Sequence, residues 1–226
     1  MTRSQLRHRD GPAVRKALDA AEEVFARRGF SAATVDEIAT RAAMAKSHVY
    51  YHFKGKRQIL DRLIEVRLAE ILAQKDELIA GLTELTPEAV ATLARRIIHG
   101  LFVPRARFLR VVLLEAFTAG DQELPHLLQQ LLGPLVQDEL KRYEVAGFSF
   151  DRERFASDHI HFGLLPVLMH IAFADALAPA SHTSRERALD LVVDRAIEVQ
   201  LETMRRMTPS ALSLPTTQRV PRKKTP

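Results

Sequence analysis

Between Ala45 and Lys56 the chain gathers Lys46, Ser47, His48, Tyr50, Tyr51, His52, Lys54 and Lys56 within twelve residues. Val49 and Phe53 stand four apart in this run, so on a helix they share one face and turn inward. Lys46, Ser47, His48, Tyr50, Tyr51 and His52 then occupy the remaining faces. A helix this short cannot bury two tyrosines and two histidines on its solvent side without a partner. Clustered ammonium, hydroxyl and imidazole donors suit phosphate oxygens and base edges.

Other residue types argue against catalysis and metal chemistry. The sequence has no nucleophile–base pairing, no glycine-rich phosphate loop and no carboxylate pair at catalytic spacing, so no catalytic residues and no enzyme are expected. The absence of cysteine excludes disulfides and thiolate metal sites. His159, His161 and His170 with Asp158 invite a metal reading. His159 and His170, however, are eleven residues apart, about 16 Å along a helix axis. One ion cannot bind both, and neither a metal nor a cofactor is expected.

The 226 residues carry a net charge of +5, unevenly placed. Residues 1–67 hold 14 Lys/Arg against 8 Asp/Glu, and the last twenty add four bases and no acid, whereas 68–206 is net acidic. The positive charge therefore surrounds the donor-rich segment, as local neutralisation of phosphates requires. Arg3, Arg7 and Arg9 precede no apolar run, so no signal peptide is read. No uninterrupted apolar stretch of membrane-spanning length is seen either, which predicts a cytoplasmic protein without a membrane partner.

The elements that must position the segment all read as helices. Val14, Leu18, Ala21 and Phe25 form one stripe over 12–28, with Gly29 as a stop. Thr34-Val35-Asp36-Glu37 is a capping box opening a second helix, with Val35, Ile38, Ala39 and Ala42 inward. A short helix near Lys46–Phe53 follows a break at Ala43-Met44. A long amphipathic helix then runs from Lys56 to a break at Gly81. Thr86-Pro87 opens the next helix, Pro104 starts or kinks another, and Gly120-Asp121 ends it. Residues 122–145 read as helical but interrupted at Gly133-Pro134. Asp151 caps a helix to about Leu177, with the loop before it starting at Gly147, and Thr183-Ser184-Arg185-Glu186 reads as a capping box for a last helix to about Met207. The predicted fold is all-α: an N-terminal three-helix helix-turn-helix domain joined to a larger helical domain. The predicted segments are a basic arm (1–9), a helix-turn-helix domain (10–70), a larger domain (71–207) and a disordered basic tail (208–226).

The run from Gly29-Phe30 through Thr34–Ala39, Ala42-Ala43-Met44 and Val49–Phe53 to Lys56-Arg57-Gln58-Ile59-Leu60 resembles the N-terminal domain of the tetracycline-repressor (TetR) family. The resemblance covers about residues 10–70. It implies that the third helix docks in the major groove of double-stranded DNA. Lys46, Ser47 and His48 would then be base-facing, and Tyr50, Tyr51 and His52 would hold the backbone or flanking phosphates. Thr34 matches a phosphate donor at the start of helix two, and Lys56 matches the lysine opening helix four, where the helix N-terminus and its ammonium would together meet one phosphate. Three positions depart from the family pattern. Ala43 replaces the usual turn glycine, Ala45 the usual polar cap, and His48 a commonly smaller residue.

The same resemblance implies a homodimer formed by the last two helices, matching about 152–177 and 184–206. A dimer also follows from the DNA, since one short recognition helix contacts too few base pairs and two-fold partners read a palindromic operator. The implied small-molecule pocket is bounded by helices near 86–118 and 155–178. Its candidate lining is His99, Phe102, Phe108, Phe117, Phe162, Leu165, Met169 and His170. The expected function is a DNA-binding transcription regulator, a repressor released from its operator by a small apolar ligand, with the helix 56–80 as the mechanical link. The alternative is an architectural or division-linked DNA binder of the same fold, controlled by a protein partner.

Overall fold

Most helix starts sit where the sequence places a capping residue or a proline. In the computed structural model, which describes residues 11–80, 86–118, 124–145, 148–180 and 183–207, α1 spans Pro12–Ala32 with Pro12 at its first position. The capping box opens α2, Val35–Arg41: the Thr34 hydroxyl accepts from the Glu37 N–H, and the Glu37 carboxylate accepts from the Thr34 N–H. Next come α3, Lys46–His52, and α4, Lys56–Ala80. Thr86 caps α5, Pro87–Ile97, which continues through a π-helical turn, Ile98–Phe102, and a 3-10 turn, Val103–Arg105. Then follow α6, Ala106–Thr118, and α7, Leu124–Val145. Asp151 caps α8, Arg152–Asp158, which runs through a π-helical stretch, His159–Leu164, into α9, Leu165–Ala180. The last helix is α10, Arg185–Met207. Among the described residues there is no strand, and the fold is all-α. The arm 1–9, the breaks at Gly81, Gly120-Asp121 and Gly147, and the tail 208–226 lie outside the described residues.

Two features differ from the sequence reading, while Gly29 breaks the helix where the sequence places a stop: its backbone (φ 75°, ψ 161°) is non-helical, and one further turn follows to Ala32. Only glycine adopts that conformation without a steric cost. Pro134 does not interrupt α7. Proline forfeits one helical hydrogen bond, but Leu131, Leu132, Leu135 and Val136 around it are all buried, and their burial outweighs the loss. The cap of α10 is Ser184 rather than Thr183, since the Ser184 hydroxyl accepts from the Arg187 N–H at 3.3 Å.

The chain divides into two compact units. The first comprises the residues up to Ala73 together with Arg105–Leu131. Its core joins Leu18, Val24 and Phe25 of α1, Ile38 of α2, Val49 of α3, and Leu60 and Leu63 of α4 to Phe108 and Val112 of α6. α1 packs along α6 and against α2. Glu23 of α1 meets Arg41 and Arg107 across those seams, and Arg67 of α4 meets Glu22 and Asp19 of α1 as well as Glu70 of its own helix.

The second unit comprises Gln74–Pro104 and the residues from Leu132 onward. Val90, Val136, Leu140, Tyr143, Phe155 and Met204 form one of its cores. The run Arg152–Leu177 within it is long and apolar enough to cross a membrane by length and composition, and a third of its most apolar window is buried inside the protein.

Candidate nucleic-acid interface

Two buried side chains fix how α3 is presented. Val49 is fully buried and Phe53 nearly so, and α3 packs against α1 and α2. A helix anchored on one face must show its others. Lys46, Ser47, His48 and Tyr50 are accordingly exposed, and Tyr51 is 82% exposed, an unusual fraction for an aromatic ring. His52 is half-buried, edge-on to Tyr51 at 5.0 Å and beside His48 at 5.2 Å, and its enclosed Nε2 lacks a hydrogen-bond partner.

The turn that aims α3 is a Schellman motif. Ala43 sits in the left-handed region (φ 47°). Its N–H donates to the Thr40 carbonyl and the Met44 N–H to the Ala39 carbonyl, at 3.0 and 2.9 Å. This geometry ends α2 abruptly and is usually filled by glycine. Ala45 then stands at the N-cap of α3 with no side-chain cap, as its methyl group dictates.

Three predicted contacts are engaged within the protein. The Lys46 ammonium bridges to Asp36. The Thr34 hydroxyl is committed to the capping box, donating to Glu37 Oε2 at 3.2 Å. Lys56 Nζ donates to the carbonyls of Phe30, Ser31 and Ala33 at 2.9, 2.7 and 3.2 Å and lies 4.8 Å from the Phe30 ring centre. An ammonium has three donors, and here all three hold the C-terminal carbonyls of α1. Lys56 is thus a pin between the start of α4 and the end of α1. Nothing in its sequence position marks those carbonyls as its target; tertiary folding brings them within reach. The sequence reading also left out Asp36, the partner of Lys46.

The eight candidate ligand-lining residues are distributed unevenly. Phe108 and Phe117 fall in the first unit and the other six in the second. Phe102, Phe108 and His170 are buried, Leu165 and Met169 half-buried, and His99, Phe117 and Phe162 exposed. His99 lies 3.7 Å from Asp190. Phe162 lines an open, largely apolar groove with His161, Pro166, Leu191, Val192, Arg195 and Val199. His170 is only 7% exposed; burial lowers its pKa, and its Nε2 has no hydrogen-bond partner.

Residues 17–63 match the family model described as bacterial regulatory proteins, tetR family. The chain is 42% identical over 52 residues to the HTH-type transcriptional regulator SrpR of Pseudomonas putida, covering 23% of this chain and 24% of SrpR. It thus spans about a quarter of that relative's length. The fold is similar to that of the fatty acid degradation regulator FadR from Bacillus halodurans, with a TM-score of 0.62 at 17% identity over 84% of this chain and 96% of that one. It is also similar to FadR from Bacillus subtilis, solved with stearoyl-CoA, with a TM-score of 0.59 at 18% identity over 82% and 98%. The matched segment holds the capping box, the Schellman turn and the outward-facing α3, and it is in this N-terminal segment that the chain is similar to the tetR family of bacterial regulatory proteins.

Proposed function

We propose that the chain is a DNA-binding transcription regulator, a homodimer whose α3 helices enter successive major grooves of a palindromic operator. The observation that carries this reading is α3 itself. It is anchored by Val49 and Phe53 and offers Lys46, Ser47, His48, Tyr50 and Tyr51 outward. Tyr51 and Tyr50 supply hydroxyls for phosphate oxygens, and the first turn faces the base edges.

A second copy of the chain supplies what one short helix lacks. The groove between the π-helical stretch before α9 and α10 exposes Phe162 (61%) and Leu191 (50%) with little polar lining. Apolar side chains this exposed and this close together favour a partner surface. A two-fold mate presents the same groove in return. This covering also accounts for the apolarity of Arg152–Leu177.

The regulator is a repressor that a small apolar ligand releases. Support comes from His170, an imidazole only 7% exposed whose pKa burial lowers. Its unpaired Nε2 is the kind of single polar group that orients an otherwise apolar ligand. The same fold holds stearoyl-CoA in the B. subtilis FadR structure.

Selection of bound duplex from a random DNA pool tests the reading. A two-fold symmetric site is expected, with Tyr51→Ala weakening binding to every sequence alike. A chain that enriches no duplex refutes it. A melting screen of small apolar ligands on the selected complex then tests release, and His170→Phe should abolish the response to the active compound.

A further inference from the structure

At the outer edge of the helix-turn-helix, Lys46 Nζ lies 2.7 Å from Asp36 Oδ1 and 2.9 Å from Oδ2. Asp36 sits in the first turn of α2 and Lys46 opens α3, so the pair ties the two helices together. Both side chains remain more than half exposed. The lysine stem runs alongside Tyr50, with the ammonium 5.9 Å from the ring centre. The Asp36 carboxylate also holds the lysine firmly charged, its pKa raised by that hydrogen bond.

The pairing changes what Lys46 can bind. A lysine that moves to a phosphate carries its carboxylate partner toward a second anion, and either the repulsion or the separation of the pair must be paid. A base edge bears no net charge and can meet the intact pair. The edges differ in order. Across the major groove a G·C pair presents acceptor, acceptor, donor: guanine N7 and O6, then cytosine N4–H₂. An A·T pair places its donor between two acceptors, so an ammonium reaching for both acceptors meets the adenine amino group. A donor flanked by a carboxylate has the order that G·C requires.

We propose that Lys46 and Asp36 together read a G·C base pair, Lys46 donating to guanine O6 and N7 while Asp36 accepts from the cytosine amino group. Asp36 is then a specificity-determining residue, and its charge also keeps Lys46 off the phosphates. The inference rests on the DNA-binding reading above and adds to it the identity of one base pair.

The test compares wild type, Lys46→Ala and Asp36→Ala in selections from the same random duplex pool. The selected site is then rebuilt with 7-deazaguanine at the guanine in question. Wild type should enrich one G·C pair at a fixed place, and each variant should lose roughly ten-fold discrimination there while other positions keep theirs. The 7-deazaguanine site should weaken wild type and leave Lys46→Ala unchanged. Asp36→Ala should bind unrelated duplex more tightly, with the salt slope steeper by about one. Asp36 and Lys46 are both more than half exposed, so losing their ion pair should lower the melting temperature only slightly, and a cooperative melt separates lost reading from lost folding. If Asp36→Ala keeps every base preference, or if A·T is enriched at the Lys46-dependent position, the inference is overturned while the regulator reading stands. If wild type enriches no sequence at all, both fall.

Discussion

Residue by residue, the segment 45–56 separates into groups that face outward and groups the protein uses itself. Tyr51 is available to a partner; the Lys56 ammonium is not, because three carbonyls at the end of α1 take its three donors. Lys56→Ala should therefore lower the stability of the N-terminal unit by about 2 kcal/mol, the scale of lost charge-assisted hydrogen bonds to half-buried carbonyls. It should leave the salt dependence of DNA binding by the folded protein unchanged. Denaturant melts and a salt titration check this, and a slope lower by one would make Lys56 a phosphate contact instead. The outward set was legible in the sequence because Val49 and Phe53 dictate one face by spacing alone. The roles of Lys56 and Asp36 were not, since their partners lie 23–26 and ten residues away and only folding brings them together.

Among the elements, the short helices carry the visible compromises. Ala43 holds a left-handed conformation (φ 47°) that costs an L-residue with a Cβ about 1 kcal/mol. Ala45 leaves α3 without a side-chain cap, forfeiting a similar amount. Ala43→Gly and Ala45→Ser should each stabilise the first unit by up to about 1 kcal/mol, and nearly additively, since one acts on the end of α2 and the other on the start of α3. Thermal melts of the two variants and their combination measure it; destabilisation by Ala43→Gly would mean the turn relaxes elsewhere. The capping signals at Thr34, Thr86 and Asp151 were read correctly because a cap acts within one turn. The run through Pro134 was misread because buried leucines on both sides, a tertiary property, decide whether a proline is tolerated.

At the scale of the whole molecule, a buried polar network in the second unit makes stability depend on pH. His159 Nε2 lies 3.0 Å from Glu139 Oε2, and His159 Nδ1 lies 2.6 Å from Gln200 Oε1. The Gln200 amide donates to Glu139 Oε1 and to the Tyr143 hydroxyl, which leaves its oxygen for His159. Both ring nitrogens thus face acceptors, an arrangement that favours the protonated ring. Burial pushes its pKa down, but the Glu139 charge and the hydrogen bonds to Glu139 and Gln200 outweigh burial and raise it above 6.5. For Glu139 burial pushes up, and the His159 charge and hydrogen bond, with Lys75 and Gln200, hold it below 4.5. The pair's contribution is therefore full between about pH 4.5 and 6.5. It is lost on the alkaline side as pH rises through the raised histidine value, and on the acid side as pH falls through the lowered carboxylate value. His159→Gln should flatten the alkaline decline in melting temperature; parallel curves for variant and wild type would show that His159 is already neutral. At the same scale, Leu191→Asp places a charge in the apolar groove and should convert the proposed dimer to a monomer in sedimentation analysis. An unchanged sedimentation coefficient would place the subunit contact elsewhere.

By itself the sequence determined the helical class, the caps and the outward face of α3, because each depends on neighbours within one or two turns. Tertiary structure decided which donors the protein engages itself, that α6 packs on α1, and that a buried histidine meets a carboxylate. Those outcomes depend on which distant groups share a place, and local spacing does not encode that.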